Sequence, residues 1–93
     1  MNIHWTEPAQ ENLRGIHKST MCHQSEAAAN RLIDRIIVRA EKLALSPESG
    51  HRFDPEKYPE ARQVILRLYR IIYRIHGETI EILNVFHSAR QHF

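Results

Sequence analysis

The side chains with the clearest chemical potential are arginines near the C-terminal end. Residues 60–93 carry Arg62, Arg67, Arg70, Arg74 and Arg90 against Glu60, Glu78 and Glu81, whereas residues 1–59 hold eight basic and eight acidic groups. The formal surplus of +2 therefore sits in the last third and consists of guanidinium. Such groups are planar, forked and permanently charged, which matches phosphate or carboxylate better than an ammonium does. An anionic partner for that end is one reading; a solvated sheet face is the other. A second cluster, His51, Arg52, Asp54 and Lys57, could assemble acid and base pairs. Other chemistry finds no support. The seven histidines include no H-E-x-x-H, Cys22-His23 has no partner at zinc-site spacing, and neither a Gly-rich phosphate loop nor a G-x-S-x-G elbow occurs. No metal and no cofactor is expected.

Those residues must be held by a small scaffold. At 93 residues and 11.0 kDa the chain has room for one core, so residues 1–93 are expected to form a single domain. Its 42% hydrophobic and 26% charged residues, with three Gly and four Pro, are globular in balance. Arg interrupts every apolar stretch long before the ~20 residues of a membrane span, and Met1 to Trp5 shows no secretory signal. A lone Cys22 excludes an internal disulfide, so no membrane association and a reducing cytoplasm are expected.

Asn2 to Trp5 reads as a strand ending at Thr6-Glu7-Pro8, where Thr6 can cap a helix, Glu7 favours its positive end and Pro8 fits a first turn. Ala9, Leu13, Ile16 and Thr20 form one helical stripe, which should stop near Met21 to Gln24. Ser25 caps a second amphipathic helix with apolar positions at 29, 32, 33, 36, 37, 40, 43 and 44, ended by Ser46-Pro47. Residues 46–61 contain three of the four prolines and read as a long connection with at most one turn of helix. Then come β-branched and aromatic runs: Val64 to Leu66, Tyr69 to Ile75, and Ile80 to Phe86, the last two joined by a turn at His76-Gly77-Glu78-Thr79. Arg67-Leu68 lacks the Gly or Asn of a tight hairpin, so one long strand from 62 to 75 is also compatible with the pattern. Alternation puts Tyr69, Ile71, Tyr73 and Ile75 on the face that packs on the helices, and Arg70, Ile72 and Arg74 on a face turned to solvent.

In this order the residues resemble the RelE/ParE superfamily, the toxin halves of bacterial type II toxin–antitoxin modules. Trp5-Thr6, Ala9, Leu13 and Ile16 are similar to the family's opening W-T-x-x-A-x-x-D-L-x-x-I, and Pro47, Gly50 and Arg52 to the loop after its second helix. Arg62 with Tyr69-Arg70-Ile71-Ile72-Tyr73-Arg74-Ile75 resembles its strand pair, and Val85-Phe86-His87-Ser88-Ala89-Arg90 its V-x-H-x-A-R ending. Departures are Asn12 where Asp is usual, Gln63 where Glu is usual, and Arg67-Leu68 where the hairpin often has Gly-Asn. The resemblance implies an α+β fold of order β-α-α-β-β-β, with a helix hairpin on one face of a small, mainly antiparallel sheet.

It also implies a toxin of a plasmid stabilization or stress module, neutralised by a cognate antitoxin with which it could form a hetero-oligomer. Its two branches differ in target. A ParE-like toxin is no hydrolase and inhibits DNA gyrase. A RelE-like toxin is an endoribonuclease cutting mRNA in the ribosome, where His87 would be acid or base and Arg62, Arg70 and Arg90 would surround the phosphate. As binding residues the candidates are Arg62, Arg70, Arg74 and Arg90. Each also has a plain structural role: His87 fixing the chain's exit through a backbone carbonyl, Arg62 in an ion pair with Glu60 or Glu81, Arg70 and Arg74 solvated or pairing with antitoxin carboxylates, and Arg90 as a solubilising end. The 46–61 connection has Pro55, Pro59 and a single Lys57 rather than a lysine-rich patch, which tilts the expectation toward the ParE-like branch.

Overall fold

The computed structural model describes residues 1–89. Strand β1 (Asn2–Trp5) leads into helix α1 (Glu7–His23) and helix α2 (Glu26–Glu41), which tightens into a 3₁₀ turn at Lys42–Ala44. Strands β2 (His51–Arg52), β3 (Arg62–Leu66), β4 (Tyr69–His76) and β5 (Thr79–His87) follow. The five strands form one sheet in the order β1-β5-β4-β3-β2, antiparallel throughout except for β1, which lies parallel to β5. Among the described residues no helix is long and apolar enough to cross a membrane.

Local chemistry explains the helix ends. Thr6 Oγ1 accepts the Ala9 N–H at 3.4 Å, and Ser25 Oγ accepts the Ala28 N–H at 3.0 Å, so each helix starts on a side-chain cap. The expected stripes are the buried ones: Ala9 of α1 and Ile36 and Ala40 of α2 join Leu43, Val64, Ile71, Tyr73, Ile80, Ile82 and Val85 in one core, flanked by Leu13, Ile16, Leu32 and Ile33. The helix hairpin thus covers the face of the sheet predicted for it.

Two features differ from the sequence expectation, and one alternative closes. Residues 62–75 are the two expected strands rather than the one long strand that the pattern also allows: Leu66 and Tyr69 pair across a tight turn in which Arg67 takes φ 56°, the left-handed conformation that Gly or Asn adopts more easily. The 46–61 connection contributes the short strand β2 and is internally bonded, with Phe53 N–H on the Ala61 carbonyl and an Arg52 guanidinium on the Pro59 carbonyl. The second face of the sheet is not a bare arginine surface. Ile72 on that face is fully buried, and Tyr58, Pro59 and Ala61 share a cavity of about 620 Å³ with Arg74 and Leu83.

One irregularity decides the faces of the last strand. Tyr73 pairs with Ile82 and Ile72 with Asn84, so Leu83 is an extra residue, a β-bulge. Strict alternation after Ile82 would send Asn84 toward the core and Val85 away from it. The bulge buries Val85 instead and, two residues on, turns His87 to the helix side beside Tyr69. The chain services the bulge from outside: Thr6 donates both its N–H (3.2 Å) and its hydroxyl (2.6 Å) to the Ile82 carbonyl, and Asn12 Oδ1 accepts from Val85 N–H (2.9 Å) and Asn84 Nδ2 (3.2 Å).

Candidate functional site

The predicted residues fall at separate places. His87 ends β5 on the helix face, its ring edge-on to Tyr69 at 5.3 Å. Its Nδ1 accepts the Ala89 N–H at 3.1 Å, so the neutral ring carries its proton on Nε2. The imidazole does fix the exit of the chain, but by accepting from a backbone N–H rather than by donating to a carbonyl.

Arg62 also projects on the helix side, opposite Tyr73, four residues along β4 from the position that His87 faces. At a strand rise of ~3.3 Å per residue these two positions are ~13 Å apart. Arg62 is held by the loop before β2: Nη1 donates to the Gly50 carbonyl at 3.0 Å, and Nη2 lies 3.7 Å from Glu48 Oε1. Its acidic partner is therefore Glu48, not Glu60 or Glu81.

Arg70 and Arg74 occupy the other face. Arg70 Nη1 donates to Gln63 Oε1 at 2.9 Å, a cationic donor on an uncharged acceptor where the resemblance implies Glu; Arg70 Nε is buried without an acceptor among the described residues. Arg74 sits between two glutamates. Its Nε donates to Glu81 Oε1 and its Nη1 lies 3.6 Å from Glu60 Oε2, so its charge is already matched within the chain. The hydrogen bond from Arg74 holds the Glu81 carboxyl below the ordinary range, against a weaker opposing effect of burial. Arg90 lies outside the described residues.

The second cluster is equally dispersed in role. Arg52 and Asp54 brace the loop, with Asp54 Oδ1 accepting the Lys57 N–H at 3.3 Å and Lys57 lying over the Tyr58 ring. Among the described residues no group of three or more His, Cys, Asp and Glu is placed to hold a metal ion.

Sequence reading passes over two other arrangements. Tyr73 is fully buried, donates its hydroxyl to the Pro47 carbonyl at 2.7 Å and accepts the Gly50 N–H at 3.0 Å, which ties the long connection to the core. A Cβ on Gly50 would meet the Tyr73 hydroxyl at 2.5 Å and the Gln63 carbonyl at 2.8 Å, so only glycine fits. The other arrangement is a groove of about 460 Å³ between α1 and the end of β5, lined by Asn12, Gly15, Ile16, Tyr69, Asn84 and His87 among others. It opens because β1 pairs with β5 only as far as Ile82, leaving the outer edge of residues 83–87 with no strand beside it among the described residues.

A helix hairpin on a five-stranded sheet with β1 parallel to β5 is the architecture that the resemblance to the RelE/ParE superfamily of toxins implies. Residues 3–92 match the family described as ParE toxin of type II toxin-antitoxin system, parDE, and the chain belongs to that family. Among solved structures it is similar to the chromosomal ParDE toxin–antitoxin system from P. aeruginosa, with a TM-score of 0.81 and 21% identity over 94% of this chain and 95% of that one. It is also similar to the toxin–antitoxin complex RelBE2 from Mycobacterium tuberculosis, with a TM-score of 0.70 and 22% identity over 92% of this chain and 95% of that one. No curated protein matches.

Proposed function

We propose that this toxin is ParE-like in mechanism: a non-enzymatic inhibitor of DNA gyrase, acting in the cytoplasm as a single domain over residues 1–93 and neutralised by a cognate antitoxin. What supports this reading is the separation of His87 from Arg62 and Arg70, the two arginines of strands β3 and β4 that the RelE-like reading would bring to the same phosphate. General acid–base catalysis requires the imidazole within hydrogen-bond reach of the reacting phosphodiester, with guanidinium groups on the same phosphate. Here His87 is on the helix side, Arg70 is on the opposite side of the sheet, and Arg62 is ~13 Å along the strand by the rise per residue. The antitoxin would enter the groove between α1 and the β5 edge, where among the described residues no strand flanks residues 83–87.

The reading is tested by inducing the chain in a bacterial host and following DNA damage response, filamentation and mRNA integrity in parallel, with a gyrase supercoiling assay on the purified protein. Gyrase inhibition with intact mRNA, relieved by the antitoxin and unaffected by His87→Gln, is the expected result. Rapid translation arrest with cleaved mRNA, abolished by His87→Gln in a protein that still folds, would establish the endoribonuclease instead.

A further inference from the structure

A groove of about 540 Å³ at the end of the molecule where the α1–α2 joint meets the β3–β4 turn is lined by Thr20, Gln24, Ala28, Arg31, Leu32, Arg35, Arg67, Leu68, Tyr69 and His87. Three guanidinium groups from two distant stretches of sequence meet there, and no carboxylate shares the lining. Arg31, Arg35 and Arg67 are exposed and take part in no ion pair or hydrogen bond among the described residues, unlike Arg14, Arg62 and Arg74, each of which has a glutamate. The nearest acid on α2, Asp34, lines the neighbouring groove with Arg35, Arg39 and Lys42, without an ion pair to Arg35.

Two further observations single this cluster out from an ordinary basic surface. The first is Arg67 itself, a residue with a long unbranched stem at φ 56° in the turn, where Gly or Asn would relieve the backbone. A strained conformation spent on a long cationic side chain signals a role for that side chain. The second is His87. Because Nδ1 is occupied by the Ala89 N–H, the ring lining this groove can offer only a donor, Nε2–H. Four donor-bearing side chains without an acid match the closely spaced anionic oxygens of successive phosphate groups better than the two oxygens of one carboxylate.

We propose that this groove is a phosphate-binding site, formed by Arg31, Arg35, Arg67 and His87, that takes the phosphate groups of a nucleic-acid backbone or of a free nucleotide. The site adjoins the α1–β5 groove, with which it shares Tyr69 and His87, and does not rest on the gyrase reading.

The test is a binding titration of the purified chain with pyrophosphate, with ATP and with a fluorescent duplex DNA, at low and at physiological salt, on the wild type and on Arg31→Gln/Arg35→Gln, Arg67→Gly and Arg14→Gln. Saturable binding that falls about tenfold or more in the first two variants and is unchanged in Arg14→Gln is expected. A duplex preference whose log–log salt slope shrinks by about one for each arginine removed identifies the backbone as source. Equal competition by pyrophosphate and ATP with no dependence on duplex length identifies a free nucleotide. Arg67→Gly should bind more weakly while unfolding at a higher temperature, since glycine relaxes the turn; a purely structural arginine would change the melting temperature alone. Absence of saturable binding, equal binding by all variants, or displacement of the probe by a poly-glutamate peptide as effectively as by pyrophosphate would overturn the proposal.

Discussion

Tyr73 shows how one side chain joins two levels of the structure. Its ring is core and its hydroxyl is the peg on which the connection before β2 hangs, with Pro47 as acceptor and Gly50 as donor. Burial is the main reason its pKa lies above the ordinary value of 10.0, because the phenolate would lose its water. The native state therefore keeps a proton that the unfolded chain gives up near pH 10, so stability is intact below that pH and declines as pH rises toward the folded value. Tyr73→Phe should abolish this alkaline loss. At neutral pH the same change should cost about 1–3 kcal/mol for each buried partner left unmatched. Urea unfolding followed against pH checks both; an unchanged alkaline limb would mean that another group titrates. Neither role is visible in a strand pattern, which predicts that Tyr73 faces inward but not what its oxygen meets.

At the level of elements, most of the architecture was legible and the exceptions have specific causes. The caps at Thr6 and Ser25, the helical stripes and the hairpin at Gly77 follow from local rules, and the structure places each where those rules do. Alternation also assigned Ile71 and Tyr73 correctly, because β4 is a strand with a single period. It does not reach His87, because Leu83 shifts the phase of β5 and the reason lies in burial: Val85 is apolar and Asn84 is not. Nor does composition reveal the second face, where a proline-rich connection supplies Tyr58 and Ala61 beside Arg74. Asn12 is the side chain that steadies the bulge from α1. Asn12→Ala leaves the Val85 N–H without its acceptor and should lower stability by about 1–3 kcal/mol, whereas Asn12→Asp retains the acceptor and should cost less. Thermal unfolding of both variants is the measurement; equal losses would mean that the oxygen of residue 12 is not what the bulge requires.

For the whole molecule, charge is organised by contact rather than by position in the chain. The C-terminal surplus suggested one arginine face, yet Arg62 and Arg74 are matched by Glu48, Glu60 and Glu81, and Arg70 leans on Gln63. The unmatched arginines come largely from the first two-thirds of the sequence, whose charges cancel. Arg31 and Arg35 stand one helical turn apart on α2, and the fold brings Arg67 to them. A charge ledger taken along the chain cannot register such a meeting, because it is created by the hairpin of helices crossing the β3–β4 turn.

The bulge at Leu83 makes β5 a strand with two possible phases and a single amide to choose between them. Putting an apolar residue at that choosing position, as in Asn84→Val, would leave consecutive valines competing for one place against Ile71. The strand should then slide between registers, and His87 would spend part of its time on the arginine side. Doubled amide resonances for residues 83–87, absent from the wild type, would reveal the exchange; one sharp set would show that Asn12 and Thr6 alone set the phase. His87 and the guanidinium groups of Arg70 and Arg74 are thus kept on opposite faces of the sheet by one polar residue, a separation that a single codon change could erase.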